Sequence, residues 1–331
     1  MSSAALGVEF ADAALETSVR AGLDAIESAL RAAVRADDEF VSDAASYLVN
    51  AGGKRFRPLV SVLSAHFGDP GRAEIVPAAV VVELTHLATL YHDDVMDEAT
   101  VRRGAISANA RWDNTVAILT GDFLFSRASN LLADLGPHAV RLQARTFERL
   151  VTGQIRETVG PREGVDPIEH YLAVLVDKTG SLIATAAEFG AYYAGAEPAV
   201  VESLRLFGEQ IGVAFQLSDD ILDIASESTE SGKTPGTDLR EGIATLPVLY
   251  ALRSEEPTLQ RLRTLVANPL VDEAEHAEAL GLLRASSALT ESRATLQRYA
   301  DAARDMLRDL PDLPARAALA TLTDLVISRT G

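Results

Sequence analysis

Residues 91–104 read YHDDVMDEATVRRG, with Asp93, Asp94 and Asp97 in five positions and Arg102 and Arg103 just downstream. On a helix, positions i and i+4 share a face and i+1 to i+4 is a three-residue step, so the spacing predicts converging carboxylates. Unpaired, such carboxylates repel and hold each other's protons. A divalent cation relieves that repulsion. Oxygen-only donors suit magnesium, which takes one or two carboxylates and fills its shell with water and phosphate oxygens. The pattern returns in FQLSDDILD, residues 215–223, where Asp219, Asp220 and Asp223 repeat the spacing. Each copy ends an apolar, core-like helical stretch. Neither has the alternating ligands and central glycine of an EF-hand loop. Two such clusters holding magnesium predict a substrate rich in phosphate oxygens.

Such a site also needs cations. The chain has 30 basic residues, of which only Lys54, Lys178 and Lys233 are lysine. All three lie in glycine-containing segments: GGKRFRP (52–58), VDKTG (176–180) and SGKTPGTDL (231–239). The first is a glycine-opened turn leading into a helix, whose free N–H groups favour an anion. Arginine can clamp phosphate oxygens in bidentate fashion. Arg55 is expected to serve only a surface ion pair, and His92 to be an ordinary packed histidine.

The elements that must position these residues read as helices. Apolar residues recur at three- and four-residue spacing, as in 15–35 and 200–225, and no useful alternating strand run is present. Glycine- or proline-bearing breaks fall at 51–58, 67–72, 159–167, 194–198 and 226–242. The last is long and polar, as expected of a lid or binding loop. None resembles a flexible linker. The expectation is one all-α domain over residues 1–331, a many-helix bundle with its motifs at about 50–250, and a C-terminal third from about Glu255 without chemistry. The formal net charge of −18 argues against nucleic acid or a charge-held membrane partner. No apolar run approaches the roughly 18 residues of a membrane span, so no stable membrane insertion is expected. The absence of cysteine and of a basic, then apolar, leader leads to the expectation of a cytoplasmic protein.

Taken together, GGKRFRP, HLATLYHDDVMD (86–97), VRRG, LTGDFLFSRA (119–128), Gly153–Gln154, Lys178–Thr179, FQLSDDILD and GKTPGTDLREG followed by TLP resemble the trans-isoprenyl diphosphate synthases, the polyprenyl synthetase family, in the family's order. The resemblance implies the isoprenoid-synthase fold, with a cavity between helices bearing two DDxxD motifs. It implies head-to-tail (1′-4) condensation of isopentenyl diphosphate with an allylic diphosphate by a homodimer using magnesium, three ions per site. Asp93, Asp97 and Asp219 would be the main metal ligands, assisted by Asp94, Asp220 and Asp223. Arg102, Lys178 and Lys233 would hold the allylic diphosphate. Lys54, Arg57, His86 and Arg103 would hold isopentenyl diphosphate. Thr179 and Gln216 would sit by the reacting carbons, and Lys178 beside them. Ile243 stands where many relatives carry a second lysine, so one cationic contact is missing.

Product length is expected to depend on the helix turns below Asp93. Residues four and five before it, Thr89 and Ala88, lie about one turn, ~5.4 Å, deeper. Shorter-product relatives tend to carry aromatic residues there. Leu84, Thr85 and Val81 below are not aromatic either, although Phe123 and Phe125 could floor the pocket from elsewhere. The expectation is an open tunnel and an all-trans product longer than geranylgeranyl, for a quinone side chain. The alternatives are a geranylgeranyl or farnesyl diphosphate synthase, a class I terpene cyclase, a non-catalytic synthase subunit and a magnesium-dependent diphosphate hydrolase. The cyclase would not need GGKRFRP or His86, and the silent subunit would tend to lose its aspartates.

Overall fold

A computed structural model describes residue 8, residues 10–226 and residues 235–329. The chain is all-α, as its periodicity predicts. The helices are α1 (Ala13–Ala33), α2 (Glu39–Asn50), α3 (Phe56–Ala65), α4 (Ile75–Met96), α5 (Ala108–Arg111), α6 (Asn114–Leu135), α7 (Pro137–Val159), α8 (Pro167–Leu175), α9 (Ser181–Tyr193) and α10 (Pro198–Ala225), continuing with α11 (Thr237–Glu241), α12 (Leu246–Arg253), α13 (Gln260–Leu265), α14 (Glu273–Arg284), α15 (Ser287–Leu307) and α16 (Pro314–Ser328). The strands among the described residues are a two-residue antiparallel pair, β1 (Val101–Arg102) and β2 (Ala105–Ile106), with Arg102 opposite Ala105.

The contacts group these helices into two compact units. The first takes the chain up to Glu148 with Leu182–Gly208 and Met306–Thr321. The second takes Arg149–Ser181, Glu209–Asp305 and the chain from Leu322.

In the first unit α4 is the central element. It is apolar on all sides, with Val80, Val81, Val82, Leu84, Leu87, Ala88 and Tyr91 almost wholly buried. A helix of that kind belongs in a core. By length and composition it could also cross a membrane, but two-thirds of its most apolar window is buried inside the protein. Tyr91 ties it to α2, donating to Ala44 O at 2.5 Å and accepting from Leu48 N at 3.3 Å. Gly121 brings α6 close, since a Cβ there would stand 2.3 Å from His92 Nε2 and 3.1 Å from the Ala88 carbonyl. Gly190 does the same for α9 on α3, where a Cβ would meet Ser61 O at 2.0 Å.

In the second unit, Asp166 caps α8 by accepting from Ile168 N at 2.7 Å, and Pro167 opens the helix. The helix then widens into a π turn at Val176–Gly180. Such bulges often mark functional positions, and this one carries Lys178 and Thr179. Gly153 of α7 lies against it, where a Cβ would sit 2.7 Å from Lys178 N. The part of α10 in this unit buries Ile211, Val213, Leu217, Ile221 and Ile224.

Candidate active site

In the first unit, the three aspartates at the end of α4 do not converge as their spacing predicts. Asp94 is fully buried and accepts a hydrogen bond from Arg102 Nε at 2.5 Å. Asp93 is half-buried and Asp97 is exposed. Arg102 Nη2 lies 3.9 Å from Asp97 Oδ2. Asp94 turns inward because successive helical positions point about 100° apart, and because Arg102, on the hairpin strand β1, offers it a counter-charge. Its Oδ2 is buried without a hydrogen-bond partner. Among the described residues no three His, Asp or Glu side chains gather about one point. The donors are nonetheless all carboxylate oxygens, and an unpartnered buried oxygen fits an oxygen-seeking divalent cation.

Beside this lies a cationic cluster built by the α2–α3 turn. Gly52 and Gly53 adopt positive φ (89° and 146°), as does Arg55 (49°), which folds the turn back. Arg103 donates to Leu48 O at 3.0 Å and to Gly52 O. Its guanidinium fills the place a side chain at Gly53 would need, 3.0 Å from that Cβ position. Arg57 is part-exposed overall, but its Nε is buried and unpartnered. Burial, opposed by the Glu83 charge and reinforced by Arg103, pushes its pKa down to about 10. His86 is pushed well below its ordinary 6.5 by burial and then by Arg57 and Arg103, so it is neutral. The structure thus brings Arg57, His86 and Arg103 together, with Lys54 exposed on the same turn.

Arg55 is no surface residue. It donates to Glu27 Oε2 at 2.8 Å, Glu83 Oε1 at 3.1 Å and Val49 O at 3.1 Å, so it pins the turn from below. Glu83, buried one turn before His86, is the counter-charge of the whole cluster and is not legible from spacing. His92, expected to be an ordinary packed residue, contacts Ile118 O at 3.1 Å and packs against Phe125. Thr89 is half-buried on the same side of α4 as Asp93, whereas Ala88 is fully buried with its carbonyl beside Gly121. Phe125 packs edge-on against Phe147 at 4.7 Å, and Phe123 lies under Arg127.

In the second unit, Asp220 is buried and accepts from Tyr171 Oη and from Gln216 Nε2, the latter at 3.0 Å. Burial pushes its pKa up to about 7; the two hydrogen bonds oppose this and the charges of Asp219 and Asp223 add to it. Gln216 in turn accepts from Thr179 Oγ1 at 3.5 Å. The two residues expected beside the reacting carbons therefore form one chain with Asp220 and Tyr171. Asp223 accepts from Thr237 N at 3.2 Å and Asp238 N at 3.3 Å, anchoring the start of α11. Asp219 is ion-paired with Arg329, whose guanidinium stacks over Phe215 at 5.1 Å. The C-terminal segment, expected to carry no chemistry, thus supplies a cation to the second cluster. Neither Tyr171 nor Arg329 has a sequence signal, because both reach their partners from distant segments. Lys178 pairs with Glu157. Lys233 and residues 227–234 of the expected lid lie outside the described residues. Ile243 is exposed, and its N–H donates to Asp238 O at 2.8 Å.

An all-α frame presenting two aspartate-rich helix ends and a buried cationic turn defines an enzyme class that handles diphosphate esters. The sequence profile of the Polyprenyl synthetase family matches residues 38–283. The chain is 54% identical to the nonaprenyl diphosphate synthase of Mycobacterium tuberculosis, over 98% of this chain and 97% of that one. It is 34% identical to the octaprenyl diphosphate synthase of Escherichia coli, covering 89% and 91%. The crystal structure of a geranylgeranyl pyrophosphate synthase from Corynebacterium glutamicum, complexed with calcium and isoprenyl diphosphate, superposes with a TM-score of 0.88 at 46% identity, covering 98% of this chain and all of that one. The chain belongs to the polyprenyl synthetase family, and it is a prenyl-transferring enzyme of that family.

Proposed function

We propose that this chain condenses isopentenyl diphosphate head-to-tail with an allylic diphosphate and makes an all-trans polyprenyl diphosphate longer than geranylgeranyl, for a quinone side chain. The observation that carries this reading is the 54% identity with a nonaprenyl diphosphate synthase over nearly all of both chains.

Asp93, Asp97 and Asp219 would hold magnesium, with Asp94, Asp220 and Asp223 assisting, and three ions serving one site. A bound ion supplies Lewis-acid stabilisation of the charge that grows on the leaving diphosphate. Arg102, Lys178 and Lys233 hold the allylic diphosphate as its C–O bond ionises. Preorganised charge of this kind is commonly the largest catalytic contribution. Lys54, Arg57, Arg103 and neutral His86 hold isopentenyl diphosphate. A neutral imidazole fits there, because it donates one hydrogen bond without adding a fourth positive charge. The Thr179 and Gln216 oxygens stabilise the allylic cation. The double bond of isopentenyl diphosphate attacks it, a proton leaves, and the released diphosphate takes that proton. Water is excluded while the cation exists, with closure of the 226–242 segment as the means. The chain works as one domain, as a homodimer, in the cytoplasm. Exposed apolar residues of α6 and α7, such as Leu119 and Val140, are suited to face a second copy.

A geranylgeranyl product is the second reading, favoured by the 46% identity to the Corynebacterium enzyme. The deciding assay for the reaction class follows isopentenyl diphosphate in the presence of an allylic primer and magnesium. Consumption that stops with a chelator supports a synthase. Release of diphosphate from the primer alone, with isopentenyl diphosphate untouched, would point to a cyclase or hydrolase.

A further inference from the structure

Each aspartate of the second cluster is held by a different segment of its unit. Asp219 pairs with Arg329, and Asp220 accepts from Tyr171 of α8. Asp223 is held by backbone. Gly236 N donates to its carbonyl at 2.7 Å, and Thr237 N and Asp238 N donate to its Oδ1 and Oδ2 at 3.2 and 3.3 Å. A carboxylate held on both oxygens keeps one orientation and still has lone pairs to offer a cation. Two of the N–H donors belong to α11, which is only five residues long. A helix of that length does not hold itself together in water. Its anchor has to come from outside.

Helix α14 supplies it. His276 is buried, and its Nε2 lies 2.9 Å from Gly236 O. Its Nδ1 lies 3.4 Å from Arg240 Nη2. A guanidinium only donates, so Nδ1 accepts and Nε2 carries the proton given to Gly236 O. The fit is close: a Cβ on Gly236, whose φ is 74°, would stand 2.6 Å from Nε2. Arg240 also reaches Glu273 of α14 at 2.7 and 2.8 Å, but the Glu273 side chain is 81% exposed, and a surface pair of that kind contributes little. The buried imidazole is the stronger of these two ties to α14. Two turns further along the helix, Arg284 donates from Nε to Ile224 O and from Nη2 to Ser226 O, both at 2.7 Å. One helix thus holds the chain just after Asp223 and again at Gly236.

We propose that His276 is a positioning residue: by holding the Gly236 carbonyl it aims the Thr237 and Asp238 N–H groups that fix the Asp223 carboxylate. This rests on the reading that Asp223 assists in holding magnesium at the diphosphate site. Without the tie, α11 comes away from α14, and Asp223 turns from the carboxylates of Asp219 and Asp220 that repel it. Partners that orient a ligating carboxylate typically change metal affinity roughly ten- to hundred-fold.

The experiment compares three variants. His276→Leu removes the donor. His276→Gln keeps an N–H for Gly236 O and an oxygen for Arg240. Leu283→Ala opens a cavity under α14, where Leu283 is buried, and leaves the His276 tie in place. In the metal-free chain, amide hydrogen exchange over residues 235–242 is expected to run on the order of ten-fold faster in His276→Leu, the weight of one buried hydrogen bond. Magnesium titrated calorimetrically in the presence of inorganic diphosphate is expected to bind roughly ten- to hundred-fold more weakly in that variant. His276→Gln is expected to restore both. Leu283→Ala is expected to lower the melting temperature and leave magnesium affinity unchanged. Wild-type exchange in folded His276→Leu overturns the proposal. So does faster exchange with wild-type magnesium affinity, or an equal loss of affinity in Leu283→Ala. No label incorporation from isopentenyl diphosphate by the wild-type chain sinks the synthase reading, while exchange and calorimetry still decide the tie between His276 and Asp223.

Discussion

Asp93 and Asp94 are neighbours with different duties. Asp93 is half-buried beside exposed Asp97, while Asp94 is sealed in the core on Arg102. Asp93→Asn is expected to lower kcat/KM by about a thousand-fold, on the order of 4 kcal/mol of transition-state stabilisation, and to leave the melting temperature nearly unchanged. Asp94→Asn breaks a buried contact. With Arg102 about a quarter exposed the stability cost is discounted to about 1–2 kcal/mol, read as a lower denaturant midpoint. A thousand-fold loss together with a large melting shift in Asp93→Asn would contradict this division. His86 makes a separate prediction. In the unfolded chain it binds a proton below its ordinary 6.5, whereas in the fold it resists protonation until well below that. The unfolded state therefore binds more protons as pH falls under 6.5, and stability present above that pH is lost. The fall in stability between neutral pH and about pH 5 should be smaller in His86→Asn than in the parent, measured by denaturant midpoints. An identical fall would show that His86 does not contribute. Residue type and spacing make the aspartates and the cationic turn legible. They cannot show that Arg102 claims Asp94, since that contact depends on where a hairpin returns.

At the scale of elements, helix packing rests on glycines whose reasons differ. Gly190 of α9 lets the Ser61 carbonyl of α3 approach to a distance no side chain tolerates. Gly281 of α14 faces open space, with nothing within 4 Å of where a Cβ would stand. Gly190→Ala is expected to cost about 3 kcal/mol by overpacking against backbone. Gly281→Ala is expected to stabilise by about 0.5–1 kcal/mol, because it replaces a poor helix former in an uncrowded helix. Both are read by equilibrium unfolding, and effects of equal sign would refute the packing argument. The helices themselves are readable from periodicity and from breaks such as 51–58 and 159–167. The π turn at Val176–Gly180 is not, because one extra residue per turn leaves no periodic trace. Nor is Tyr171, whose hydroxyl reaches Asp220 across forty-nine positions of sequence.

At the scale of the whole molecule, the residues alone point to an all-α chain and a family, and both stand. They also suggest plain scaffold beyond Glu255, which Arg329 corrects by pairing with Asp219. A distant ion pair of that kind has no local signature in a chain whose net charge of −18 supplies acids everywhere. Helix α4 shows the same limit from the other side: its composition permits a membrane span, and only its burial shows it to be core. What the molecule as a whole decides is how far a chain can grow before it leaves. The most direct measurement is the mass of the longest abundant product made from farnesyl diphosphate and excess labelled isopentenyl diphosphate with magnesium. Metal-dependent all-trans chains beyond geranylgeranyl length are predicted. A product that stops at geranylgeranyl length or below, under excess isopentenyl diphosphate, would contradict the long-chain assignment.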